Sequence, residues 1–113
     1  MNQSIYFIRC KKNNKYYIGR SNNPQRRFRD HMAVPINDLI REDMKRYGRK
    51  AFELIGTIFT DIPEAAAKII EERLILECKT FMPEYGYNIR IGDKGVATVF
   101  HQMKLLKDEW LES

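Results

Sequence analysis

The sequence predicts an α+β domain: a small three-stranded antiparallel sheet flanked by helices, in the order β-β-α-α-β-α, with an extra C-terminal helix. Three observations lead there. Two runs rich in β-branched and aromatic residues, near residues 5–10 and 15–19, are separated only by a polar turn. Amphipathic patterns with a helical period follow each of the later turn signals. At 113 residues the chain has room for one hydrophobic core and not for two.

Ile5 to Cys10 reads as the first strand, with Ile5 and Phe7 on one face and Tyr6 and Ile8 on the other. Lys11 to Asn14 is a turn in which two asparagines accept unusual dihedrals. Lys15 to Gly19 returns as the second strand. A loop of two or four residues places Tyr6 and Tyr17 on the same face, because side-chain direction repeats every second residue. Ser21, Asn22 and Asn23 before Pro24 supply caps and a first helical residue, so a helix begins here and runs to about Ala33. Within it Arg27 and His31 are four apart, one turn of helix, beside the apolar pair Phe28 and Met32.

Residues 36–47 form a second amphipathic helix ended by Gly48. A short strand is expected from Phe52 to Phe59. Asp61 and Glu64 have the spacing of a capping box opening a third helix, which Pro83 to Gly86 ends. Residues 85–91 read as a turn into a short extended segment. From Val96 onward, Val99, Phe100, Met103, Leu106 and Trp110 recur near helical spacing and predict the additional helix. The expected organisation is a domain over 1–92 and a helical extension over 93–113 packed on it.

Composition narrows the class. A hydrophobic content of 43% with 31% charged residues fits a soluble globular chain, and no apolar run reaches the ~20 residues of a membrane span. A cytoplasmic protein with two reduced cysteines, Cys10 and Cys78, is the expectation. The net charge of +5 is unevenly placed. Residues 1–31 carry eight basic side chains against Asp30 alone, while the remainder is slightly acidic. A positive field concentrated in the first third suits a surface that meets phosphate.

Ser4-Ile5-Tyr6 and Tyr17-Ile18-Gly19, followed ten residues after Tyr17 by Arg27 and one turn later by His31, resemble the GIY-YIG nuclease superfamily, with serine in place of the first glycine. Met44-Lys45-Arg46-Tyr47-Gly48 and Phe52 resemble the segment before the third strand in phage homing enzymes of that group. Glu72 resembles its metal-binding glutamate, with the adjacent Glu71 as the alternative, and Gly86-Tyr87-Asn88 closes the module. The two glutamates differ by about 100° around a helix, so one alone faces the sheet. Glu72 is favoured because Ala65, Ile69 and Leu76 share its side.

The resemblance implies a DNA endonuclease that uses Mg²⁺ or Mn²⁺ and nicks one phosphodiester per site. Its implied site is Tyr6, Tyr17, Arg27, His31, Glu72 and Asn88, with Glu72 holding the metal and Asn88 orienting the site. A single carboxylate suits an ion that keeps most of its water. Arginine offers phosphate a fixed, permanently charged fork of donors. The general base is Tyr6, Tyr17 or His31. Lys15, Arg20, Arg26 and Arg29 are expected to contact the nucleic-acid backbone. A catalytically silent or RNA-directed binding module on the same scaffold is the alternative, and the chain is either a monomer or a weak dimer.

Overall fold

The computed structural model describes residues 1–91 together with Lys94 and Gly95; the helix expected over 96–113 lies outside the described residues. Three strands, β1 (Asn2–Cys10), β2 (Tyr16–Ser21) and β3 (Phe52–Pro63), form an antiparallel sheet in the order β2-β1-β3. Helices α1 (Pro24–Ala33) and α2 (Asp38–Tyr47) follow β2, and α3 (Glu64–Cys78) follows β3. A two-stranded ladder of β4 (Arg90–Ile91) and β5 (Lys94–Gly95) comes last. The predicted α+β class and element order are therefore observed.

The β1–β2 hairpin closes through Cys10 N–H to the Lys15 carbonyl and Asn14 N–H to the Cys10 carbonyl, both 2.9 Å. Asn14 takes φ 59°, a left-handed conformation that asparagine tolerates. The register pairs Tyr6 with Gly19 and Ile8 with Tyr17. One sheet face then carries Tyr6, Ile8 and Cys10, which pack with Ile40, Met44 and Phe52 and against Phe28 and Met32 of α1. The other face carries Ile5 and Ile18, packed with Ala67 and Ile75 of α3. Helices on both faces give the sheet two small cores, one for each face.

Helix ends follow the sequence signals in α1 and α2. Asn23 Oδ1 accepts from Arg26 N–H at 3.1 Å, Asn37 Oδ1 accepts from Ile40 N–H at 3.1 Å, and Gly48 ends α2 at φ 84°. The expected capping box at α3 does not form. Asp61 lies inside β3 instead, its N–H donating to Ser4 Oγ at 3.0 Å, and Pro63 precedes the helix without a side-chain cap. The third strand consequently runs to Pro63 rather than Phe59, with register shifts in its pairing to β1. Pairing with a long β1 thus outcompetes the local cap.

The segment after α3 returns to the free edge of β2. Tyr87 N–H donates to the Tyr16 carbonyl at 2.9 Å, and Tyr16 N–H donates to the Tyr85 carbonyl at 3.2 Å. The fully buried Tyr87 ring sends its hydroxyl to Asp43 Oδ2 at 2.8 Å, and Asn37 Nδ2 donates to the Tyr87 carbonyl at 2.7 Å. Asn37 therefore both caps α2 and holds the returning segment. Asn37→Ala is expected to lower stability by about 2–3 kcal/mol, the sum of a lost cap and a buried carbonyl left without its donor, measured by urea unfolding.

Candidate active site

The cleft opens where β2 leaves the sheet. Its walls are Tyr6 and Gln3 from β1, Tyr17, Arg20 and Ser21 from β2, Arg27 from α1 and Glu71 from α3, enclosing ≈ 410 Å³. The β2 edge is covered by residues 85–88 at Tyr16 and Ile18. Here α1 on one sheet face and α3 on the other both reach the same strand end.

Tyr6 and Tyr17 project from the same face, their ring centroids 6.3 Å apart. His31, in the last turn of α1, meets Tyr17 edge-on at 5.7 Å and places Nε2 2.9 Å from the Tyr6 hydroxyl. Tyr6 and His31 are 1% and 2% exposed. Gly19 makes this possible, because a Cβ there would fall within the Tyr6 ring and hydroxyl. The glycine of the Tyr-Ile-Gly run thus leaves space for a phenol.

Burial sets the protonation states. It raises Tyr6 well above the ordinary phenol range, with Tyr17 adding to the effect and Arg27 opposing it. Tyr17 is pushed up to about 12, by burial first and then by the Glu71 carboxylate. His31 is lowered to about 4, by burial first and then by the Arg27 cation. At neutral pH the Tyr6–His31 pair is a neutral phenol against a neutral imidazole. Arg27, exposed and one turn before His31, is the cation that biases both.

The third helix corrects one expectation. Glu71, not Glu72, lines the cleft. Ala67, Glu71 and Ile75 are spaced by four and share the face against the sheet, where Ala67 and Ile75 are buried. Ala65 and Ile69, which argued for Glu72, are exposed. Ile69, Ile70, Leu74, Ile75 and Leu76 put apolar residues on most sides of α3, so apolar company did not mark its inner face. The Ala67-Glu71-Ile75 spacing was the available signal.

Two other expected residues make contacts that the sequence reading does not give. Asn88 is buried, with Ile18 N–H donating to its Oδ1 at 3.0 Å and its Nδ2 donating to the Ile18 carbonyl at 2.9 Å. It fixes the β2 residue between Tyr17 and Gly19. Arg20 lines the cleft and is engaged there by neighbouring side chains. Its Nη1 donates to Gln3 Oε1 at 2.7 Å and lies 3.6 Å from Glu64 Oε1, while its Nε is 3.7 Å from Glu71 Oε1. Gln3 was missed as part of the cleft, and so were the carboxylates that engage Arg20; only the contacts of the folded chain reveal them. Arg26 and Arg29 are exposed on α1, as expected of residues free to meet a backbone. Lys15 immediately precedes β2, at its hairpin end and outside the residues that line the cleft.

Among the described residues no group of three His, Cys, Asp or Glu side chains converges as a metal cage. The donor set is the Glu71 carboxylate among neutral oxygens, which fits a mostly hydrated hard cation such as Mg²⁺ and does not fit a desolvated structural ion. Arg20 beside Glu71 holds that carboxylate in the cleft.

His31 links the site to stability. Its folded value near 4 lies below the ordinary 6.5, so between those values the unfolded chain binds a proton that the folded chain does not. Stability is expected to fall as pH drops from about 6.5 towards 4, by on the order of 2 kcal/mol, with a smaller fall in His31→Gln, measured by urea titration at each pH. Gly19→Ala is expected to displace the Tyr6 ring and cost at least tenfold in the rate of any reaction using it, read by activity assay alongside the melting curve.

Comparison with known proteins agrees with this arrangement. The family model of the GIY-YIG catalytic domain matches residues 2–88. Among solved structures, the chain is similar to the catalytic domain of intron endonuclease I-TevI, in the form of a glutamate-to-alanine mutant. The TM-score is 0.69 with 24% identity, over 84% of this chain and 100% of that one, a likeness of fold. A search of curated proteins gives no match. With the two tyrosines, Arg27, His31 and a third-helix glutamate gathered inside the matched region, the chain belongs to the GIY-YIG catalytic-domain family.

Proposed function

We propose that this protein is an endonuclease that hydrolyses phosphodiester bonds of DNA, with Mg²⁺ or Mn²⁺ held at Glu71. The observation that carries the reading is convergence: Tyr6 of β1, Arg27 of α1 and Glu71 of α3 border one cleft, and His31 of α1 hydrogen-bonds Tyr6 behind it. Phosphodiester hydrolysis needs those functions together. A water must lose a proton, and the charge of the pentacovalent phosphate must be held.

Burial excludes a standing phenolate at Tyr6, so the phenol acts as a relay. Its proton passes to His31 Nε2 as its oxygen takes the proton of the attacking water. Arg27 grips a non-bridging phosphate oxygen through its guanidinium. That contact also removes part of the positive field that depresses His31, so substrate binding makes the imidazole a better base. When bound at Glu71, the metal ion supplies positive charge to the phosphate and to the leaving 3′ oxygen. Arg20 is a positioning residue for Glu71. One cleft per chain cuts one strand per encounter, so nicks precede double-strand breaks.

Supercoiled plasmid incubated with purified protein and Mg²⁺ is expected to give open circles, and chelator is expected to stop the reaction. Arg27→Ala and Glu71→Ala are each expected to lose at least 10²-fold in rate, and Glu72→Ala to stay within a few-fold of wild type. Equal loss in Glu72→Ala would return the metal role to that residue. Retained binding without nicking of DNA or of a parallel RNA substrate would replace the enzyme with a silent binding module.

A further inference from the structure

Outside the cleft, residues 41–50 hold Arg41, Lys45, Arg46, Arg49 and Lys50 against two acids, Glu42 and Asp43. Asp43 is turned inward, its carboxylate accepting from Tyr87 and Asn13, so it does not offset the outer face. Arg41 and Lys45 are one helical turn apart on α2. Gly48 then reverses the chain at φ 84° into a short 3₁₀ turn over Arg49–Ala51, which brings Arg49 beside them. The three cations border one shallow groove of ≈ 280 Å³ whose remaining walls are Pro35 and Met44.

The cations are available for an external anion. The Arg49 side chain is exposed and makes no hydrogen bond or ion pair among the described residues. Arg41 with Asp38 at 2.7 Å and Lys45 with Glu42 at 3.9 Å are solvent-exposed pairs of three-residue spacing, which contribute little and exchange readily for phosphate. Arg46 lies over the Tyr47 ring, 5.9 Å from its centroid, and adds charge beside the groove. An apolar floor rimmed by cations suits a sugar–phosphate chain better than a compact, fully hydrated anion.

Position decides the partner. α2 packs through Ile40 and Met44 into the core that contains Tyr6 and receives Phe28 and Met32 of α1. The groove therefore belongs to the helix layer that carries Arg27, His31 and the exposed Arg26 and Arg29, and Pro35 lies in the connection between the two helices. We infer that the Arg41–Lys45–Arg49 groove is a second phosphate-contacting surface, which holds the backbone of the nucleic-acid substrate away from the bond being cut. The inference rests on the nucleic-acid reading of the cleft. It assigns backbone contact only, so binding through this surface is independent of sequence.

Binding of a fluorescent 30-base-pair duplex in chelator, between 50 and 200 mM salt, tests it without cleavage. The triple variant Arg41→Ala, Lys45→Ala, Arg49→Ala is expected to reduce the slope of log K against log salt by about 2–3, at ~0.9 per lost phosphate contact, and to weaken binding at least tenfold at 100 mM. Arg49→Ala alone is expected to reduce the slope by about 0.9, whereas Arg73→Ala on the exposed side of α3 is expected to leave it in place. Arg41→Lys with Arg49→Lys keeps the charge and the slope. Thermal melting shows that each variant is folded, and the Arg49 single variant carries the test if the triple does not fold. An unchanged slope, or no duplex binding by wild type, overturns the surface. Plasmid nicking with an unchanged slope removes the surface alone; a reduced slope without wild-type nicking removes the hydrolytic reading and leaves the surface standing.

Discussion

The hydrogen bond of 2.9 Å between the Tyr6 hydroxyl and His31 Nε2 is the contact on which the arrangement depends. It joins the central strand to the last turn of α1, and both partners are withdrawn from water. Each would be costly without the other, since a buried phenol or imidazole left unpaired forfeits its solvation. The bond in turn requires Gly19 opposite Tyr6, so a register fixed by the β1–β2 hairpin sets the distance between a strand residue and a helix residue. Chemistry at Tyr6 is therefore a consequence of pairing in the hairpin.

The register must itself be held, because β2 has only β1 as a full strand neighbour. Residues 85–88 provide the other side. Asn88 bonds both backbone groups of Ile18, Tyr87 bonds the Tyr16 carbonyl, and Asn37 ties Tyr87 to the start of α2. The consequence is a strand clamped at the residues on either side of Tyr17. A side chain that resembles a catalytic asparagine by its place in the sequence thus contributes to the site through backbone geometry.

What was legible in the sequence was what local physics decides. Period-two alternation gave β1 and β2 and put Tyr6 and Tyr17 on one face; Asn23 before Pro24 gave the start of α1 and hence the Arg27–His31 spacing. The errors came where a distant partner decided the outcome. Asp61 has the pattern of a cap, yet Ser4 and the long β1 draw it into the sheet. Glu71 and Glu72 are adjacent on a helix that is apolar on most sides, and the packing of Ala67 and Ile75 on the sheet selects Glu71. Arg20 looks like a free cation in sequence and is engaged by Gln3, Glu64 and Glu71 only after β1, β2 and α3 meet.

The cleft contains two arginines with different surroundings, and the difference accounts for their roles. Arg20 is partly buried among the Gln3 amide oxygen and the Glu64 and Glu71 carboxylates, so much of its charge is balanced inside the protein. Arg27 is exposed, and its charge adds to burial in lowering His31 and partly opposes the rise of Tyr6, to which it hydrogen-bonds. In the proposed reaction a phosphate entering the cleft would meet one cation already balanced by carboxylates and one that is exposed. Pairing with the exposed one would remove the Arg27 part of the depression of His31, the larger part being burial. The imidazole would then gain basicity once an anion occupies the site, an ordering that follows from where the charged side chains are placed and needs no movement of the fold.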